Sequence, residues 1–454
     1  MRRKWGFILA CIGSAVGMGN IWRFPIMVTK YGGLTFLLPY FLFVALIGAT
    51  GIMGEMALGR AAGAGPVGAF GHAMEAGGKN RKVGEAIGAI PVIGAMMLAI
   101  GYTVVMSWIF KYAFMSISGG LFKLGTDMGA IGGTFGAAAP EAATLGEALK
   151  MMFEGKIFGV GNGGWLIVGQ VVALTIMCFG IAGGIEKANK VMMPVLFGLF
   201  LCLGIYMIFV PGSEAGYKYI FTLDPKGLAN PEVWVFAFGQ AFFSLSVAGN
   251  GTVIYGSYFS DEGDIVSAAR NIAIFDSLAA MLAALVIIPA MAATGVSCDS
   301  SGPGLMFIYL VNVFNGMKGG RLVSIVFFVS VVFAAMSSIV NLYEASVAFL
   351  QEKFNMKRVV ATAIMIVFCC VIATLIQPIT SQWMDVLSIY VCPAGALLAA
   401  IMFFWVGGRK FAEDEVSKGR AKRIGAWFYP LGKYAFCAAA IFAIVAGIVL
   451  GGIG

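Results

Sequence analysis

Two stretches of this 454-residue chain place glycines and small polar residues where an apolar helix should run unbroken. They are Gly13-Ser14-Ala15-Val16-Gly17-Met18-Gly19-Asn20 and Ser244-Leu245-Ser246-Val247-Ala248-Gly249-Asn250-Gly251. Such runs predict unwound backbone in mid-span. Freed carbonyls beside hydroxyls and amides make the oxygen-rich shell that a hard cation needs. Close helix packing through small residues would explain either run alone. Two runs at corresponding places, each beside polar side chains, favour a binding site at the membrane midplane. Asp276 lies near the start of the apolar stretch Ser277 to Ala293, and Glu55 lies in Gly54-Glu55-Met56-Ala57-Leu58-Gly59-Arg60. A carboxylate at the bilayer centre costs roughly 2.5–3.5 kcal/mol on insertion scales, so each acid needs a partner. An interfacial helix-end aspartate is the competing, weaker reading of Asp276. The hydroxyl pair Ser337-Ser338 within a later span reads on its own as helix–helix hydrogen bonding.

The elements that must position these residues are membrane helices. Hydrophobic residues make up 60% of the chain, charged residues 11%, and the mean hydropathy is +0.92. Apolar runs of about 20 residues are too long and too uniform for barrel strands. Eleven spans are expected, at 7–29, 34–59, 84–117, 165–183, 190–211, 233–258, 265–294, 320–350, 358–377, 383–407 and 427–451. The intervals 118–164, 212–232 and 295–319 read as structured loops. The two interruptions fall five spans apart. An odd offset inverts the topology, so two five-helix halves should be related by an axis in the membrane plane.

The net charge of +8 would suggest nucleic acid in a soluble protein. Here the positives sit in short loops and set orientation. With the N-terminus inside, 19 of the 30 Lys and Arg fall on cytoplasmic segments, and eleven spans leave the C-terminus outside. Arg2, Arg3 and Lys4 before an apolar stretch imitate a signal peptide. The patterned continuation without a small-residue cleavage site favours an uncleaved first span. The eight cysteines show no metal spacing, and Cys298 alone lies in a loop, so no disulfide framework is expected. The single histidine, His72, sits in a Gly-rich cytoplasmic segment rather than a span where it could relay protons. The mixed-charge run from Arg409 to Arg423 reads as a solvated loop. The sequence contains no phosphate-binding loop, nucleophile triad or metal cluster, which argues against an enzyme.

Gly17-Met18-Gly19-Asn20-Ile21-Trp22-Arg23-Phe24-Pro25 resembles the first-helix signature of the neurotransmitter:sodium symporter family. The resemblance runs through ten spans, and the span count resembles a bacterial subgroup without a twelfth helix. It implies an all-α five-plus-five inverted repeat with discontinuous helices 1 and 6. The first repeat would be 7–211, the second 233–407, and 427–451 an added helix. It implies a sodium-coupled amino-acid symporter of the bacterial inner membrane, working by alternating access. One sodium site would use the Ala15 carbonyl with Asn20, Ser244 and Asp276. A second would use the carbonyls of Gly13, Val16 and Ala334 with the Ser337 and Ser338 hydroxyls. Animal members hold an amide at the Asp276 position and recruit chloride nearby, so the carboxylate implies chloride independence. Glu55 resembles the buried glutamate that braces the unwound sixth helix.

The same resemblance places the substrate. Free amides at Gly17–Gly19 begin a half-helix whose dipole favours a carboxylate. Tyr102 matches the third-helix tyrosine that bonds this carboxylate. The carbonyls of Ala15 and Phe243, with the Ser246 hydroxyl, would accept from the ammonium group. Monoamine members carry aspartate at the Gly17 position, and a glycine there leaves that space for the substrate's own carboxylate. Phe243, Ser246, Gly249, Asn250, Ser338, Asn341 and Leu342 match the side-chain pocket, with Ser14 and Met18. Gly249 stands where the leucine-type pattern has an aromatic, and Asn250 adds an amide, which suggests a larger or more polar side chain. Arg23 and Asp385 resemble the outer gate, with Phe243 and Tyr102 as the lid below it. Tyr258 and Glu352 match inner-gate positions. The usual arginine and tryptophan upstream of the first helix are lacking, and Arg2 or Arg3 would substitute for that arginine. A proton-coupled or uncoupled permease, or a sensor that does not transport, remains as an alternative on this scaffold.

Overall fold

The computed structural model describes residues 16–142, 146–147, 150–151, 162–247, 250–293, 295 and 304–450. The side chains at 181, 182, 385, 388, 389 and 450 lie outside that description. Every regular element among the described residues is helical, as a lipid surrounding demands of long apolar runs.

Helix α1 (19–31) opens with a π-helical turn, Gly19–Arg23, and continues as Phe24–Tyr31. Gly32, at φ +85°, turns the chain into α2 (Gly33–Ala62). A left-handed Gly63 ends α2, and α3 (Pro66–Ala76) follows. Helix α4 (Arg81–Ser118) is capped by the Asn80 side chain, which accepts from the Lys82 amide. Then come α5 (Met128–Ala138), α6 (Gly163–Cys178), α7 (Gly183–Ile208) and α8 (Glu214–Ile220). Helix α9 (Pro231–Ser244) begins on an Asn230 cap with proline in its first turn. It is cut from α10 (Gly251–Ser257) at left-handed Ser246 (φ +56°) and Asn250 (φ +52°). The remainder is α11 (Ile265–Ala293), α12 (Leu305–Gly316), α13 (Gly320–Phe354), α14 (Arg358–Ile376), α15 (380–406), α16 (Gly408–Ser417) and α17 (Phe428–Val449). The axis bends by 107° between the end of α15 and α16.

Among the described residues, seven helical stretches are long and apolar enough to cross a membrane, with one further bent pair. The expected span 165–183 is the shorter Gly163–Cys178, and 233–258 is two pieces. The expected span 7–29 is described only from residue 16. The loops 118–164, 212–232 and 295–319 carry α5, α8 and α12. Cys11 and Cys298 lie outside the described residues.

Two packed groups of helices can be traced among the described residues, joined by α7, which packs on both α13 and α11. In one, α2 lies against α9 and α10, while α1 packs on α11. In the other, α4 runs along α13 and α6, and α14 packs against all three. The outer faces remain apolar, with Phe209, Leu322 and Val449 strongly exposed, as a lipid-facing surface requires.

Candidate functional site

The described start of α1 and the break between α9 and α10 meet inside the protein. Asn20 on α1, Ser244 at the end of α9 and Asp276 on α11 are all buried. The Asn20 Nδ2 donates to the Asp276 carboxylate at 2.6 Å, to the Asp276 carbonyl at 3.0 Å and to the Ser244 hydroxyl at 3.1 Å. The Ser244 hydroxyl in turn lies 2.8 and 3.0 Å from the two carboxylate oxygens. Tyr40 on α2 donates to the Ser244 Oγ at 3.4 Å. Among the described residues, then, this carboxylate is held by neutral donors. Such donors solvate a buried anion only in part, so the group favours a cation or a proton. The Asn20 Oδ1 accepts the Gly17 amide at 3.0 Å and so pins the start of α1. Direct ligation of a cation by Asn20 requires this amide to turn over, bringing its oxygen toward Asp276.

A second oxygen cluster joins α1 to α13. The Ser337 hydroxyl donates to the carbonyls of Val16 (3.2 Å) and Ala334 (2.9 Å). The Met18 amide donates to the Ser338 Oγ at 3.1 Å. A Cβ added at Gly17 would stand 1.9 Å from that Oγ. This differs from the expectation that glycine here leaves room for a substrate carboxylate, because the Ser338 hydroxyl fills the space. Glycine is required at 17 by the close approach of α13.

Above these clusters, a Cβ at Gly19 would meet the Phe243 ring at 2.8 Å and the Tyr102 hydroxyl at 3.9 Å. Tyr102 and Phe243 stand with ring centroids 6.2 Å apart, and the Arg23 guanidinium lies over Phe243 at 4.5 Å. The structure therefore gathers Gly19, Tyr102, Phe243 and Arg23 around one point. Asn341 donates to the Ser337 carbonyl at 2.6 Å, and Leu342 is half-buried one residue on. Ser246 is half-buried at the break. Gly13, Ser14, Ala15 and Gly249 lie outside the described residues, as does the Asp385 side chain, whose backbone is on α15.

Asn250 departs from its expected place in the side-chain pocket. Its Nδ2 donates to Glu55 at 3.1 Å and to the Gly395 carbonyl at 3.1 Å. The Thr252 hydroxyl donates to the other Glu55 oxygen. A buried carboxylate on α2 needs donors, and the left-handed turn at Asn250 supplies them. Glu55 thus ties α2 to the start of α10.

Tyr258 and Glu352 find different partners. Glu352 accepts the Gly65 amide at 2.9 Å, while Tyr258 donates to Glu344 at 3.3 Å. Glu344 forms a two-point ion pair with Arg358, at 2.9 and 2.6 Å, and the Arg358 Nε donates to the Met177 carbonyl on α6. The sequence reading missed Glu344, although it is an acid inside an apolar span and the rule that singled out Asp276 and Glu55 applies to it equally. A buried triangle of Thr103, Gln170 and Tyr343, with contacts of 2.7–3.0 Å, also went unread. It joins α4, α6 and α13 one residue from Tyr102. Among the described residues, no three His, Cys, Asp or Glu side chains cluster as a metal site.

The profile of the Sodium:neurotransmitter symporter family matches residues 1–123 and 145–450. The chain belongs to that family. An uncharacterised sodium-dependent transporter of Methanocaldococcus jannaschii is 30% identical to this chain over 449 residues, covering 94% of this chain and 86% of that one. The sodium-dependent neutral amino acid transporter B(0)AT3 of Mus musculus is 29% identical over 303 residues, 64% of this chain and 48% of its own length. The crystal structure of MhsT in complex with L-phenylalanine matches with a TM-score of 0.83 at 29% identity, over 98% of each chain. The chain therefore has the five-plus-five inverted-repeat transporter fold, with helix 6 described as two pieces, and it is a membrane transporter of a sodium-dependent family, not an enzyme.

Proposed function

We propose that the symporter couples sodium entry to import of an amino acid by alternating access, without chloride. The carrying observation is Asp276, a buried carboxylate where the start of α1 meets the break after α9, whose hydrogen-bond donors among the described residues are neutral. A sodium ion supplies the missing positive charge. Its shell combines the Ala15 carbonyl, Asn20, Ser244 and Asp276. A second ion takes the Gly13, Val16 and Ala334 carbonyls with Ser337 and Ser338. With the negative charge built into the first site, no chloride is needed to balance it.

The substrate's carboxylate meets the amides of the α1 half-helix near Gly19 and the Tyr102 hydroxyl. Its ammonium group meets the carbonyls of Ala15 and Phe243 and the Ser246 hydroxyl. Ser14, Met18, Gly249, Ser338, Asn341 and Leu342 border its side chain. Support for an amino acid comes from the phenylalanine bound to MhsT and from the name of the mouse relative. Arg23 and Asp385 close the outer side over Phe243. Tyr258 and Glu352 belong to the inner closure, each through its own partner. Residues 7–211 and 233–407 form the two repeats, and 427–451 is an added helix. The protein lies in a bacterial inner membrane with its N-terminus in the cytoplasm. Each net positive charge moved inward gains about 2.3 kcal/mol per 100 mV of inside-negative potential.

Uptake into proteoliposomes tests this reading with a panel of labelled amino acids. Uptake should require sodium rather than potassium and should persist when gluconate replaces chloride. Because Asp276 could equally be neutralised by a proton, a pH gradient without sodium forms a separate arm. Uptake driven by that arm alone replaces sodium with proton coupling, and binding without accumulation makes the protein a sensor.

A further inference from the structure

We propose that the groove between α2 and α11 is a binding site for one anionic glycerophospholipid, with an acyl chain in the cleft and its phosphate on Arg270. The cleft has a volume of about 620 Å³ and opens on the apolar outer surface, where its lining residues Phe41, Ile274 and Leu278 are exposed. Its hollow comes from small residues: Ala45, Gly48 and Ala49 on α2 face Ala273 and Ser277 on α11. The helices nearly touch at its floor, where a Cβ on Gly48 would meet the Ala273 Cβ at 3.2 Å.

Among the described residues lining the cleft, Arg270 is the single charged one, and it is itself exposed. Among the described residues it forms no ion pair, unlike the paired Arg409, Lys418, Arg420 and Arg423 of the connector after α15. It stands near the start of α11, and from Arg270 to Met281 the helix advances about 16 Å. That is close to one leaflet of a hydrocarbon core roughly 30 Å thick. A cation at headgroup depth with an apolar slot one leaflet long matches the shape and charge of an anionic lipid. A second cleft of about 600 Å³, between α7 and the later half of α11, has Glu214 as its charged residue and lacks this complementarity. The α2–α11 cleft adjoins the candidate ion site, because Ala273 and Ser277 flank Asp276 on α11 and the other face of that helix holds the carboxylate.

Native mass spectrometry of the full-length protein tests the proposal, using phosphatidylglycerol and phosphatidylcholine with identical dioleoyl chains. Phosphatidylglycerol should be retained preferentially, and Arg270→Ala should cut that preference about five-fold. Arg270→Lys should keep most of it. Ala45→Leu, which fills the slot, should reduce retention of both lipids, and Lys418→Ala should change neither. In a measurement that needs no variant, phosphatidylglycerol carrying a diazirine on its acyl chain should crosslink to 45–53 and 273–281. Equal retention of the two lipids, an unchanged preference in Arg270→Ala, or crosslinks confined to other helices would overturn the assignment. None of these readouts involves transport, so the lipid site stands or falls separately from the proposed symport.

Discussion

Replacing Asp276 by Asn separates the role of its charge from the role of its shape. The amide keeps the size of the side chain and one oxygen, but it removes the negative charge. At about 4 Å and an effective dielectric near 20, two unit charges attract by about 4 kcal/mol. Part of that is offset because the carboxylate must already be desolvated, and it accepts hydrogen bonds from Asn20 and Ser244. A net loss of about 2–3 kcal/mol remains, which corresponds to roughly 30–150-fold in sodium affinity. The stability of the sodium-free protein should move the other way or stay constant, since the variant no longer buries an unpaired charge. The assay is thermal unfolding of purified protein across a sodium titration, paired with sodium-dependent uptake. Expected are a much higher half-saturating sodium concentration, an unchanged or raised melting temperature without sodium, and uptake that responds to chloride where the parent's does not. A variant with the parent's sodium half-saturation would refute the assignment of Asp276 to the ion.

Four other substitutions probe the remaining contacts. Ser337→Ala removes the hydroxyl bonded to the Val16 and Ala334 carbonyls and should raise the half-saturating sodium concentration about ten-fold in uptake, a loss of roughly 1.4 kcal/mol. Tyr102→Phe removes the hydroxyl proposed to bond the substrate carboxylate and should weaken substrate binding by about 10- to 100-fold at saturating sodium, read by equilibrium binding. Glu344→Gln leaves the partly buried Arg358 without its two-point partner and should lower stability by about 3 kcal/mol, seen as an earlier thermal transition. Gly17→Ala drives a methyl into the Ser338 hydroxyl and should abolish sodium-dependent uptake, whereas Gly17→Ala with Ser338→Gly should recover part of it, a non-additive pair in a double-mutant cycle.

The interruption between α9 and α10 was legible because two glycine- and serine-rich runs fall at corresponding places five spans apart, where helix packing explains one run but not the pair. Asp276 and Glu55 were legible because charge there demands a partner. What escaped was pairing across distant segments. Glu344 and Arg358 stand 14 residues apart on two helices, and Arg358 read simply as one more cytoplasmic cation. Thr103, Gln170 and Tyr343 are each unremarkable in an apolar helix, and only the fold brings them together. Tyr40 is another such residue, giving no sign in sequence that it reaches Ser244. Asn250 misled because its type suggested a polar pocket. Its left-handed backbone instead turns the amide onto Glu55, a direction that composition does not encode.

The bonds at the start of α1 bear on how transport would proceed. Asn20 binds Ser244 and Asp276, which sit with it in the group formed by α1, α2, α9 and α11. Val16 and Met18 bind Ser337 and Ser338 on α13, which belongs to the other group. If the groups move as bodies, the first set of contacts travels intact, while the second must stretch or break. The brace from Glu55 to Asn250 and Thr252 also stays within one group. On the proposed reading, an ion between Val16 and Ser337 clamps the two groups together and its departure frees them. An ion at Asp276 instead organises the substrate pocket without resisting the motion. The two sites would then differ in kind: weakening Ser337 should raise the rate of inward opening, and weakening Asp276 should leave that rate nearly unchanged while impairing binding.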